Sequence, residues 1–333
     1  MDPEIAEAVA QFAPPLVIDE ISVSRKQFDL SLPAIQAKQR LHLPSESEYT
    51  VNDHRISVDG GDITIRTIIP SSKGQNPEER CPLLFWIHGG GWALGSIELD
   101  DLWLRRLSVD YKLTITNVDY RLEMGLSFKF SLQVVERVFM VPDQATENTT
   151  ALCASLEKGF IVAGSSAGAN LTAAVALRAR DDPFFANKQL TGQLLQIPAT
   201  IHPLAFDKYK SELLSLEQNK DAPILQKAVH MGMMELLQAP PTDPDFSVIL
   251  NPNHSGLPPT YFQVCGLDPL RDEGLLYERL LRESDVETKL DLYPGLPHGG
   301  HNFFPQLSIS TKFNADTLEG TAWLLKGSVD RTT

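Results

Sequence analysis

Cysteine is scarce in this chain. The three that occur, Cys81, Cys153 and Cys265, are too few and too irregularly spaced for a disulfide framework or a zinc site. Positive charge is also in deficit: 29 Lys and Arg stand against 43 Asp and Glu, a formal net charge of −14. A surface of that sign repels phosphate backbones and anionic membranes, which argues against a nucleic-acid or membrane partner. Runs of apolar residues long enough to span a bilayer are lacking, and the opening Met1-Asp2-Pro3-Glu4 carries no apolar signal core. A reducing, cytoplasmic setting is therefore expected, and the N-x-S/T sequons at Asn148, Asn170 and Asn253 read as chance matches. Internal repeats and low-complexity tracts are absent as well.

What the chain does contain is enough apolar residue for a large core, 42% over 333 residues, which fits a single domain across the whole length. Asp2-Pro3 can open a short helix with Ile5, Val9 and Phe12 on one face, stopped by Pro14-Pro15. A second helical stretch is expected around Ala34 to Leu41, and no strand before Ile63. From there short apolar runs alternate with helix formers: 63–69, 83–87, 114–118, 160–163, 194–197, 261–264 and 289–293 read as strands. Such spacing implies an α/β fold with a mostly parallel central sheet flanked by helices. Ligand sites in these sheets lie at the carboxyl ends of the strands. From Ala205 to Leu250 the alternation stops. Leu225, Val229, Met233 and Leu237 recur there at fourfold spacing. They read either as the core face of an amphipathic helix or as part of a lid with adaptable methionines.

Gly164-Ser165-Ser166-Ala167-Gly168 is a G-x-S-x-G pentapeptide. Alone it is a weak signal, but it follows the strand 160–163 and precedes a run of helix formers from Ala169. That is the strand–turn–helix setting in which a serine hydroxyl is lifted into a cleft as a nucleophile. Upstream, His88-Gly89-Gly90-Gly91 follows the strand 83–87. Gly89, Gly90 and Gly91 let the backbone approach a substrate carbonyl closely, as acyl transfer requires of its oxyanion donors. Neither G-x-G-x-x-G nor a following Lys-Ser/Thr supports a phosphate loop instead.

A serine nucleophile needs a general base oriented by a third group. In this arrangement the chain order is Ser, acid, His. His298, in the tight turn after the last strand, is the favoured base, with His301 its rival; His301 is otherwise read as a pocket residue or one that supports the pocket from behind. Asp268 stands at the end of the strand 261–264 and is the favoured acid. Asp272 competes with it, or else supports a helix start or pairs with Arg271. No carboxylate or cysteine cluster joins the H-x-x-H pair, so neither a metal nor another cofactor is expected.

Taken together, HGGG, G-x-S-A-G, Asp268-Pro269-Leu270-Arg271-Asp272-Glu273-Gly274 and the late His298-Gly299 loop resemble the hormone-sensitive lipase family of esterases, over about 83–304. The resemblance implies an α/β-hydrolase fold with a helical cap, formed by about 1–50 and 205–250. It implies Ser166 as nucleophile, His298 as base and Asp268 as acid. It also implies an oxyanion hole around Gly89, Gly90, Gly91 and Ala167, built on their N–H groups. Three positions depart from the family: Ser165 replaces its usual Asp, Tyr120-Arg121-Leu122 continues into Glu123-Met124-Gly125, and Gly300 replaces an aromatic. The stretch Asn302-Phe303-Phe304-Pro305 resembles fungal esterase-like enzymes, some of them in natural-product pathways. The expected function is hydrolysis of a small to medium neutral ester through an acyl-enzyme. The alternatives are a biosynthetic lactonase, lyase or cyclase using the same residues, and a non-catalytic ligand-binding receptor. The expected partner is a small-molecule ester, with a homodimer possible.

Overall fold

The computed structural model describes residues 3–10, 21–40, 43–58, 61–71, 80–120 and 153–329. The Glu123–Gly125 departure and the Asn148 sequon lie outside them, as do Phe12 and Pro14-Pro15. The strands are β1 (Tyr49–Val58), β2 (Gly61–Pro70), β3 (Leu83–Ile87), β4 (Thr114–Asp119), β5 (Phe160–Ser165), β6 (Gly192–Gln196), β7 (Thr260–Cys265) and β8 (Thr288–Tyr293). They form one sheet in the order β1-β2-β4-β3-β5-β6-β7-β8. β1 and β2 run antiparallel to each other, and β2 antiparallel to β4. From β4 to β8 every pairing is parallel.

The helices are α1 (Pro3–Ala10), α2 (Ile21–Gln39), α3 (Asp101–Tyr111), α4 (Ala167–Asp181), α5 (Ser215–Gln218), α6 (Lys227–Leu237), α7 (Arg271–Glu283), α8 (Gly300–Phe303) and α9 (Ser308–Val329). They cover both sheet faces, and β3 shows how. Its side chains alternate across the sheet, and all five are buried. Leu83, Phe85 and Ile87 pack with Leu171 and Val175 of α4 and Tyr277 and Leu281 of α7. Leu84 and Trp86 pack on the other face with Leu104 and Leu107 of α3 and Leu324 of α9. Each such side chain contributes about 1.5–3 kcal/mol by leaving water.

Two sequence expectations are corrected at the N-terminal side. β1 is a full strand, although no strand was expected before Ile63. Most of its side chains are exposed and polar, so it lacks an apolar signature; it is held by backbone pairing along β2, from Tyr49 opposite Pro70 to Val58 opposite Gly61. The second helix spans Ile21–Gln39, not the stretch from Ala34 alone, and keeps Pro33 inside it. Proline deletes one helical hydrogen bond, which masks the element in the sequence. Tertiary contacts replace what is lost: the Arg25 side chain donates to the Ala93 carbonyl at 2.8 Å, and Gln36 donates to the Glu98 carbonyl at 3.1 Å. These bonds lay α2 over the loop that follows β3. α1 behaves as expected, with Ile5 buried against Phe304 and Leu307.

All three cysteines are free thiols. Among the described residues no helix is long and apolar enough to cross a membrane.

Candidate active site

Four loops meet at the carboxyl ends of β3, β5, β7 and β8. β5 passes into α4 through Ser166, whose backbone is held at φ 56°, ψ −116°. A non-glycine residue there stores strain of about 1–3 kcal/mol. The surroundings hold it in place. The Ser166 N–H donates to the Gln196 carbonyl of β6 at 2.8 Å, and the Ser166 carbonyl accepts from Asn170 at 3.1 Å. The flanking glycines are forced by proximity. A Cβ on Gly168 would lie 2.1 Å from the Ile87 carbonyl oxygen, and one on Gly164 2.5 Å from the Gly168 oxygen. Helix and strand therefore approach more closely than any side chain permits.

The Ser166 hydroxyl and His298 Nε2 are 2.8 Å apart, and His298 Nδ1 lies 2.7 Å from Asp268 Oδ2. A carboxylate only accepts, so Nδ1 carries the proton and the Nε2 lone pair faces the serine. The other Asp268 oxygen accepts from the Leu270 N–H at 2.8 Å. Asp268 is 1% exposed and His298 7%. Pairing between neighbouring strands brings these two residues together. Cys265 ends β7 opposite Tyr293 at the end of β8, and the loops beyond stay zipped. Gly266 donates to the Tyr293 carbonyl at 2.8 Å, and Leu267 to the Leu296 carbonyl at 3.1 Å. Asn219, just past α5, donates to the Asp268 carbonyl at 2.9 Å.

The glycine run after β3 curls beside Ser166. Gly90 and Gly91 have φ of +122° and +60°, and Leu94 donates back to the Gly90 carbonyl at 2.8 Å. A Cβ on Gly89 would stand 3.5 Å from the Ser166 Cβ. Neither Gly90 nor Gly91 gives its N–H to another described group. His88 sets the loop from behind: its Nδ1 lies 2.7 Å from the Gly89 carbonyl, and its ring stacks on Tyr120 at 4.4 Å. Burial lowers its pKa to about 4, so it is neutral at physiological pH.

These pieces form the floor of a cavity of about 110 Å³. Phe28 of α2, Trp92, Leu94, Leu99 and Ile197 line it, with Val229, His230 and Met233 of α6. Asn302 of α8 also lines it; the buried Asp100, whose pKa burial raises to about 6, accepts from the Trp86 indole N–H at 2.8 Å.

The structure brings Ser166, Asp268 and His298 together and sets Gly89, Gly90, Gly91 and Ala167 beside the serine. The rivals fall elsewhere. Both backbone N–H groups at the start of α5, Leu214 and Ser215, donate to Asp272 at 2.8 and 2.7 Å, and Arg271 pairs with it at 2.7 Å. His301 stacks on Phe313 at 4.0 Å and supports the turn from behind without lining the cavity. Burial lowers its pKa to about 3. Ser165 lines the cavity at the position where the resembled family carries Asp. α6 begins at Lys227, so Leu225 precedes it; Val229 and Met233 face both core and cavity. Sequence reasoning missed Phe28, Trp92 and His230 as cavity residues. The helical spacing around Val229 was a signal for the last of these, but it reported burial and not chemistry.

Comparisons with known proteins agree with this architecture. Residues 84–302 match the model of a family described as having the alpha/beta hydrolase fold. An AB hydrolase superfamily protein of Schizosaccharomyces pombe is 31% identical over 286 residues, 85% of this chain and 82% of its own. The versiconal hemiacetal acetate esterase of Dothistroma septosporum is 34% identical over 250 residues, 73% of this chain and 74% of its own. The crystal structure of vibralactone cyclase superposes with a TM-score of 0.92 at 40% identity, covering 98% of this chain and 95% of that one. With the family model spanning most of the chain and the sheet order in place, this protein belongs to the α/β-hydrolase family and is a serine hydrolase.

Proposed function

We propose that this enzyme hydrolyses a small to medium neutral carboxylic ester through an acyl-enzyme on Ser166. The observation that carries the reading is the chain of 2.8 and 2.7 Å contacts linking Ser166, His298 and Asp268 at the floor of an apolar cavity. As the serine oxygen attacks the ester carbonyl, His298 Nε2 takes its proton. Asp268 holds the ring in the required tautomer and stabilises the imidazolium. The carbonyl oxygen, now negative, accepts from the N–H groups of Gly90, Gly91 and Ala167, while Gly89 keeps this backbone against Ser166. Collapse expels the alcohol, which leaves with the proton from His298. Water then attacks the acyl-enzyme with His298 again as base, releasing the acid and restoring the serine. In this reading α2 and α6, which line the cavity, belong to the cap that covers the bound ester.

Ser166→Ala is expected to cut turnover of a 4-nitrophenyl acyl ester by at least ~10⁴-fold with the circular dichroism spectrum unchanged. Asp268→Asn is expected to cost about 10⁴-fold through loss of the tautomer. Undiminished activity in Ser166→Ala would remove this mechanism.

A second reading is favoured by the 40% identity to vibralactone cyclase. In it a hydroxyl of the acyl group replaces water as attacker, giving a lactone. Incubation with hydroxy-acyl esters separates the two: a hydroxy acid marks hydrolysis, a lactone cyclisation.

A further inference from the structure

His230 sits on α6 between two cavity residues of the same helix, Val229 and Met233, and lines the cavity with them. It is 4% exposed, and its Nε2 is buried with no hydrogen-bond partner among the described residues. The ring lies close enough to His298 and His202 for each to disfavour its protonation, and burial does so more strongly, lowering its pKa to about 3. It is therefore a neutral imidazole offering one donor and one acceptor in a largely apolar chamber. It adds no positive charge against the imidazolium that His298 becomes during catalysis. A plain alkyl ester filling the chamber would return no hydrogen bond to this ring and leave its buried polar group unpaired, which is costly. A ligand with an oxygen at that place would lose nothing.

We propose that His230 is a substrate-binding residue that selects esters whose apolar skeleton carries a further ketone or hydroxyl oxygen. The ring N–H donates to a ketone, and its lone pair accepts from a hydroxyl. Rejection of the unoxygenated analogue comes from leaving the imidazole buried and unpaired. This inference rests on the cavity being the ester site.

The test compares 4-nitrophenyl hexanoate with its 4-oxo and 5-oxo analogues. At least one keto ester is expected to exceed hexanoate in kcat/KM by roughly tenfold. His230→Leu should bring that ratio to about one, and His230→Gln, which keeps a donor and an acceptor, should retain part of it. Both substrates meet the same preparation, so the ratio is independent of the fraction folded. Absence of a keto preference, or a preference that survives His230→Leu, overturns the proposal. Calorimetric binding of the same esters to Ser166→Ala reads the ratio without turnover. If the wild-type enzyme cleaves none of them, the hydrolytic reading falls. The binding ratio in Ser166→Ala, with and without His230→Leu, then decides the role of His230 separately.

Discussion

At the floor of the cavity Ser166, His298 and Asp268 are each tied to a partner within 2.8 Å, whereas the wall formed by α2 and α6 presents Phe28, Val229 and Met233 and, at His230, an imidazole whose Nε2 has no partner among the described residues. The floor is fixed by backbone geometry. The Ser166 turn, the Gly168 contact and the two zipped loops after β7 and β8 each admit a narrow set of residues. The wall is fixed by apolarity and volume, which many residues satisfy. In the proposed function, chemistry that must be held to a fraction of an ångström lies on the first, and choice of substrate on the second.

The comparison breaks if the floor tolerates change. Gly168→Ala puts a methyl against two backbone carbonyls, at 2.1 Å from the Ile87 oxygen and 2.5 Å from that of His88. Backbone cannot swing aside as a side chain can, so a loss of about 3 kcal/mol or more is expected, read as a large fall in Tm or as insoluble protein. A near-native Tm would show that helix and strand are less closely packed than described.

Behind the floor, His301 sharpens the comparison through pH. Its pKa is lowered from 6.5 to about 3 in the folded state, mainly by burial and then by His298. Between those values the unfolded chain binds the proton and the folded one does not. Stability tied to this residue is thus complete above pH 6.5 and is lost as pH falls toward 3, by about 1.4 kcal/mol per pH unit. His301→Phe, which keeps a ring against Phe313, is expected to lose less stability than wild type between pH 6.5 and 4.5 in denaturant titrations. Parallel curves would show that His301 does not titrate in this way.

On the wall the expected effect is smallest. Met233→Leu nearly conserves volume, so its stability cost should be below about 1.5 kcal/mol. Ester turnover should change only a few-fold, with KM moving more than kcat. A loss comparable to Asp268→Asn would place Met233 with the floor.

This division also explains what the sequence made legible. Ser166, Asp268 and His298 could be placed because their backbone settings leave marks: glycines where no Cβ fits, an acid and a histidine just past strand ends, and a fixed chain order. Strands β3 to β7 were visible because they are buried on both faces and nearly continuous in apolar residues. β1 was not, because an edge strand held by backbone pairing can be written in polar residues such as Asn52, Asp53, His54 and Arg55. α2 was half visible because tertiary bonds from Arg25 and Gln36 carry a helix that Pro33 weakens. His230 was not singled out in the sequence, since an imidazole without a partner among the described residues is defined by what surrounds it in space.

The central claim is that Ser166 is the activated nucleophile, and covalent labelling tests it most directly. After exposure to a fluorophosphonate, peptide mapping is predicted to find the adduct on Ser166. The adduct should form far more slowly in His298→Ala and be absent from Ser166→Ala. An unlabelled Ser166 in folded wild-type protein, or an adduct on another residue, would contradict the account.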